Sequence, residues 1–286
     1  MKKFEYIETT SLAEAGKLAK EKSALVRAGG VDVQDLLKEH LLEPDAVVSL
    51  RKVANLDTIK EENGNIVIGA RVTLAALAKN AIVSEKARAV AKAAGEAASP
   101  QIRNQATCAG NLLQRPRCWY FRNELLICAR KGGPECLAQE GENRYHAIFG
   151  NKNCAIVHPS NLAPAMMLFD AYLKTIKIDG SRRDLPLSQL FVTPEVNINI
   201  EHCLETGEMV ESIVIPAATL TKESGGAKSE FTVVREKQSY DWPIVAASVR
   251  LVMDGKKVKE ARVVLGAVCP IPLRRENCEK RSPEKN

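Results

Sequence analysis

The sequence is short of the features that define several protein classes. No stretch approaches the ~18 consecutive apolar residues that cross a bilayer as a helix, so no membrane span is expected. Residues 1–6 reach acidic side chains before any apolar segment, so no export signal of its own is expected either. Aromatic residues make up only 5%, and the 41 basic and 35 acidic residues are interspersed along the chain. No concentrated basic stripe arises, which argues against nucleic acid as a partner. Histidine is scarce: His40, His146, His158 and His202 share no metal-ligand spacing, and they read as surface or hydrogen-bonding groups. No nucleophile with a base at a readable spacing is present, so any chemistry falls to bound cofactors. A cytoplasmic setting is the expectation, and export within a folded complex is compatible with it.

What is present is enough for two ordinary domains: 286 residues, 45% of them hydrophobic. The fold class expected is α+β. The first fifty residues alternate strand and helix as a small βαβαβ unit, which favours parallel strands. Ser11 and Glu14 stand at capping-box spacing before its first helix. A larger α/β unit follows, with a strand over residues 65–70 and an alanine-rich run over 84–98 that reads as one helix. Later segments at residues 209–216, 230–234, 246–251 and 261–265 read as strands of an antiparallel meander. The expected boundary lies near Gly180, giving residues 1–179 (subdomains 1–58 and 59–179, with an irregular insertion at about 113–155) and a smaller α+β domain at 180–286. The charged tail, residues 281–286, reads as frayed.

Two loops invite a ligand. Leu25, Val26, Arg27, Ala28, Gly29, Gly30, Val31, Asp32 and Val33 join a strand to a helix through a glycine pair. Such a turn aims unpaired backbone N–H groups at an anion, and a diphosphate fits there, although a glycine pair also serves as a plain tight turn. Around Thr107, Gly110 and Asn111, small and amide side chains gather where backbone approaches a ligand closely, and a bulky residue at 110 would block that approach.

Four of the eight cysteines, Cys118, Cys128, Cys136 and Cys154, crowd the insertion. A polar loop of about forty residues needs an internal tie to stay ordered, and four thiolates suit an iron–sulfur cluster or tetrahedral zinc. No pair has the short spacing of a zinc knuckle. Arg115, Arg117, Arg122, Arg130 and Arg144 surround the cysteines and are expected to offset a cluster's negative charge. Cys108, Cys203 and Cys269 read as small core hydrophobes, and Cys278 as an exposed spare. Trp119, Tyr120 and Phe121 read as packing around the metal group or at a subunit contact.

Residues 28–33, 68–73 (Ile-Gly-Ala-Arg-Val-Thr) and 102–111 occur in the order found in the FAD-binding subunits of molybdenum hydroxylases, a family the chain resembles over nearly its whole length. Later matches fall at 168–171, Glu208-Met209 and 266–270. The resemblance implies that, within a cofactor-binding segment at residues 25–33, Gly29 to Val33 wrap the diphosphate of FAD, and that Thr107, Gly110 and Asn111 contact the phosphate and ribitol–flavin region; Tyr240, Asp241 and Trp242 stand where the family has residues near the flavin, which an ordinary strand-start hairpin explains equally well. Asn161 stands where the family has Asp, at the adenosine end. Val31 replaces a Thr, and Ala109 replaces a Gly.

The cysteine insertion and residues 111–122 and 158–161 are similar to a minority of that family, the aldehyde oxidoreductase and 4-hydroxybenzoyl-CoA reductase type. For this type the resemblance implies a [4Fe–4S] cluster on the four insertion cysteines. It also implies a large molybdenum-cofactor subunit and a small [2Fe–2S] subunit as partners, with a one-electron carrier such as ferredoxin as outside acceptor or donor. A standalone flavin-dependent reductase and a zinc-stabilised assembly module are the competing readings.

Overall fold

The computed structural model describes residues 1–224, 227–237 and 240–274. Cys278 and the tail at 281–286 lie outside the described residues. Beginning at the N-terminus, β1 (Glu5–Glu8), α1 (Leu12–Glu21), β2 (Leu25–Arg27), α2 (Val31–Lys38) and β3 (Ala46–Ser49) form the expected βαβαβ unit. Its sheet is parallel, in the order β1-β3-β2. The Ser11 hydroxyl caps α1 by accepting from the Glu14 amide at 3.5 Å. The Glu14 carboxylate accepts from the Thr9 hydroxyl, and Thr9 Oγ1 in turn takes the Ser11 N–H, so the reciprocal half of the capping box runs through an extra side chain.

The second unit continues with β4 (Ile59–Glu62), β5 (Asn65–Gly69), α3 (Leu74–Lys79), α4 (Ala81–Lys86), α5 (Arg88–Gly95), α6 (Pro100–Arg103), α7 (Cys108–Leu112), α8 (Trp119–Arg122), α9 (Leu162–Met167), β6 (Tyr172–Ile176), β7 (Arg182–Pro186), α10 (Leu187–Leu190) and β8 (Met209–Ile215). Its antiparallel sheet has the order β4-β5-β8-β6-β7. The strand read from the sequence as opening the C-terminal meander, β8, instead lies in the middle of this sheet between β5 and β6. A boundary near Gly180 would cut between β6 and β7, which are hydrogen-bonded to each other. β8 is buried at nearly every position, as a central strand is, and an apolar run of this kind does not say which sheet claims it.

The alanine-rich run is two helices, not one. Ala87 leaves helical geometry (φ −145°, ψ 56°), and α5 begins afresh with the Ala89 N–H donating to the Ser229 hydroxyl at 3.0 Å. A side chain from the C-terminal sheet therefore satisfies an amide that a continuous helix would have bonded internally. Ala89, Ala93 and Ala94 are fully buried. Their small side chains let α5 lie between α3 and β9 (Ala227–Val234), which follows α11 (Ala217–Ser224). Together with β10 (Val245–Asp254), β11 (Lys257–Gly266) and β12 (Leu273–Arg274), β9 makes an antiparallel sheet in the order β12-β11-β10-β9. Phe231, Ala246 and Val264 of that sheet join the same buried cluster as Ile66, Leu168 and Ile213, so the two larger units share one core. Among the described residues, no helix is long and apolar enough to cross a membrane.

Candidate functional site

Where the three sheets approach one another lies a cleft of about 520 Å³. Its floor is built from backbone. At the end of β2 the chain turns through Gly30 at φ +79°, a left-handed conformation that favours glycine, and enters α2 with no side-chain cap on its first amides. At Gly29 a Cβ would stand 1.9 Å from the Gln105 carbonyl oxygen, so the two ligand loops touch through their main chains. Opposite, Thr107 caps α7 by accepting from the Gly110 amide at 3.3 Å. The Cys108 and Ala109 amides donate to the Val72 and Ala70 carbonyls, which ties this loop to residues 68–73.

Of the sequence-predicted flavin residues, Val26, Ala28, Gly29, Gly30, Val31, Asp32, Val33, Thr107, Gly110, Asn111 and Asn161 line the cleft. Leu25 and Arg27 are not among its lining: Leu25 pairs with Val47 in the sheet, and the Arg27 side chain packs beneath Gly30. Asn111 Oδ1 accepts from the Ser160 hydroxyl at 2.6 Å, and Ser160 Oγ takes the Ala163 amide at the start of α9. Asn161 donates to the Glu96 carbonyl at 3.5 Å. An uncharged amide thus does at this position what a carboxylate could not, because it donates.

Several lining residues were illegible beforehand. His202 reaches the cleft from the irregular segment after α10, half-buried, with its Nδ1 buried and lacking a protein partner among the described residues. Burial lowers its pKa, so the neutral ring is favoured. Arg235 enters from the far side of β9, bound to Glu96 and to the Asp241 carbonyl. Tyr240 and Trp242 line the rim and remain more than half exposed. No motif marks His202 or Arg235, and only the fold brings them to the loops, whereas Tyr240, Asp241 and Trp242 fall where the sequence resemblance left a flavin neighbour open.

The insertion packs beside this cleft. Cys118, Cys128, Cys136 and Cys154 line one small cavity together with His146. Backbone amides point at the sulfurs: Ala155 N–H donates to Cys136 Sγ at 3.5 Å, with Ala138 and Gln139 also contributing, and Phe121 and Tyr120 amides face Cys118. A hydrogen bond from Cys154 pulls Cys136 down to about 5, and Cys154 is raised correspondingly. His146 Nε2 lies 3.2 Å from Cys118 Sγ. Among the described residues, no three His, Cys, Asp or Glu side chains converge as a single ion requires. Four thiols surround a common cavity, and Cys118, Cys136 and Cys154 have amide donors beside them, a donor set that could hold a thiolate-ligated metal group once the Cys136–Cys154 pair separates.

The arginines do not serve mainly as counter-charges to the cysteines. Arg144 pairs with Glu142, and Arg115 and Arg130 share Glu201. Arg117 and Arg122 both reach Asp32 Oδ1, at 3.0 and 2.7 Å, and Arg117 also binds Asp35 at 3.1 Å. Arg130 also acts on a thiol, lowering Cys154 against its larger influences. Cys108 and Cys269 are buried as expected, whereas Cys203 is half-buried and donates to the Gln189 carbonyl. Trp119 and Tyr120 pack on His146.

His158, on the irregular segment after the insertion, is buried against Phe191 with ring centroids 4.5 Å apart. Burial pushes its pKa down to about 4, the Leu112 carbonyl opposing only in part. Between the unfolded value of about 6.5 and this one, the unfolded chain binds the extra proton. The stabilisation is therefore complete above pH 6.5 and is lost as pH falls towards 4, amounting to about 3 kcal/mol. Urea midpoints for wild type and His158→Asn should show a fall between pH 7 and 4.5 that the variant largely lacks, and equal slopes would rule His158 out.

With the geometry in view, comparison with known proteins identifies the class. The chain matches the FAD binding domain in molybdopterin dehydrogenase over residues 2–218, and the CO dehydrogenase flavoprotein C-terminal domain over residues 229–286. It belongs to the FAD-binding subunit family of molybdenum hydroxylases. The aldehyde oxidoreductase FAD-binding subunit PaoB of Escherichia coli (strain K12) is 34% identical over 280 residues, 96% of this chain and 85% of that protein. The carbon monoxide dehydrogenase medium chain of Hydrogenophaga pseudoflava is 24% identical, over 98% of this chain and 79% of the relative. In structure, the cyanide-inactivated Cu,Mo-CO dehydrogenase superposes with a TM-score of 0.73 at 23% identity, over 98% of this chain and 80% of that one. Quinoline 2-oxidoreductase from Pseudomonas putida 86 gives 0.68 at 22% identity, over 95% and 76%. These two establish the fold. The first family match ends just after β8.

Proposed function

We propose that this oxidoreductase subunit holds FAD in the cleft with its diphosphate on the first turn of α2, and passes electrons between partner metal centres and an outside carrier. The observation that carries the reading is the meeting of two backbone loops at Gly29, beside an uncapped helix start, within a chain of this family. Residues 28–33 receive the diphosphate through main-chain amides, and Thr107, Gly110 and Asn111 face the ribitol and ring. Asn161 serves the adenosine end. FAD, when bound, exchanges one or two electrons, which lets a two-electron donor meet a one-electron acceptor. The chain's own part is to bind the flavin, orient it and limit water around it.

Cys118, Cys128, Cys136 and Cys154 are proposed to hold a [4Fe–4S] cluster, supported by the shared cavity and its amide donors. A large molybdenum-cofactor subunit and a small [2Fe–2S] subunit are the proposed partners, ferredoxin or a similar protein the outside carrier, and the cytoplasm the site of assembly. The C-terminal domain is proposed to begin after β8.

Purified alone, the chain should show a flavin absorption spectrum and oxidise no aldehyde, purine or acyl-CoA, because the metal centre that would act on substrate belongs to the proposed partner subunit. Turnover by the isolated chain would favour a standalone reductase. Stoichiometric zinc without flavin would favour an assembly module.

A further inference from the structure

The cysteine insertion and the diphosphate helix are joined at one residue. Arg117 precedes Cys118, and its guanidinium forks between Asp32, at 3.0 Å, and Asp35, at 3.1 Å. Its plane also lies over the Trp242 ring, 5.0 Å from the centroid. Asp32 is gripped twice more from the insertion, by Arg122 Nη2 at 2.7 Å and by the Arg115 amide at 2.9 Å. Phe121 and Cys128 then pack against Leu36 on the buried side of the same helix. One short segment, residues 115–128, thus fixes the first turn of α2 by charge and its apolar face by packing.

We propose that Arg117, seconded by Arg122, is a positioning residue through which order in the cysteine cavity sets the affinity of the flavin cleft. The proposal rests on the reading that the diphosphate lies on α2. Asp32 sits in the first turn of that helix, where free amides favour an anion. Unpaired, its carboxylate would compete for those amides and repel the incoming phosphates. Two guanidiniums hold it aside and cancel its charge, and Arg117 also draws Trp242 from the third sheet onto the rim of the cleft. Since Arg117 and Cys118 are adjacent, a cysteine loop that loses its tie releases the fork as well. Sequence reasoning treats insertion and flavin loops as separate modules; the geometry couples them.

The test uses the full-length chain, deflavinated and titrated with FAD, with iron content and thermal unfolding recorded for each variant. R117A should weaken FAD binding about tenfold, and C136S should do so to a similar degree. The double variant R117A/C136S should be no weaker than about tenfold, because both changes release one clamp and their losses do not add. R117K keeps the charge but cannot bridge two carboxylates, and should bind FAD as poorly as R117A. Should R117A fold badly, R117K and R122A carry the comparison. Wild-type affinity in R117A or R117K, or single losses that multiply in the double variant, would overturn the coupling. A wild-type protein that binds no FAD at all would instead overturn the proposed function.

Discussion

Gly29→Val is expected to empty the cleft of flavin. A Cβ at this position meets the Gln105 carbonyl at 1.9 Å and its carbon at 2.9 Å, and both are backbone. Relief requires the residue 102–107 loop to move away, which breaks its hydrogen bonds to residues 70–74. Overpacking of this kind costs about 1–3 kcal/mol, and the displaced loop also loses its contact geometry, so FAD affinity should fall about a hundredfold or more. Gly30→Val should also abolish flavin retention, for a different reason. There the clash is with the flexible Arg27 side chain, at 2.4 Å, while the left-handed φ of +79° adds about 1–2 kcal/mol of backbone strain. Flavin content after purification and an FAD titration decide both, with circular dichroism confirming that the C-terminal sheet persists. Full retention of FAD by either variant would refute the diphosphate loop.

Replacing Cys128, Cys136 or Cys154 by Ser should remove about four irons per chain, by the stoichiometry of a cubane cluster. Protease sensitivity should rise between residues 113 and 153, where the regular structure among the described residues is limited to α8 and one turn of 3₁₀ helix at Ala129–Lys131. Cys118→Ser should be the mildest of the four, because His146 Nε2 already stands beside Cys118 Sγ and is a capable ligand. Iron analysis and low-temperature EPR of the reduced protein read the result. Stoichiometric zinc without iron in anaerobically prepared protein would reject the cluster.

Much of this was legible in residue order. The glycine pair at 29–30 and the small residues at 107–111 mark backbone approach, because few other side chains tolerate it. Strand and helix alternation in the first fifty residues gave a parallel unit, since short connections through helices allow little else. The four insertion cysteines stood out as a set by their density in a segment without periodicity. Each of these signals is local, or depends on composition within a few dozen residues.

Sequence by itself thus marked two loops as candidates for close backbone approach, because conformational demands on glycine and caps act over short spans, while resemblance to a family named the cofactor. It did not determine that β8 belongs to the middle sheet, that Ser229 interrupts the alanine helix, or that His202 and Arg235 enter the cleft. Nor could it show that Arg117 and Arg122 bind Asp32, more than eighty residues earlier, instead of mainly answering the cysteines' charge. An arginine in sequence has a charge but no address; which carboxylate it meets is set by how helices and sheets pack, and that only the tertiary structure decided.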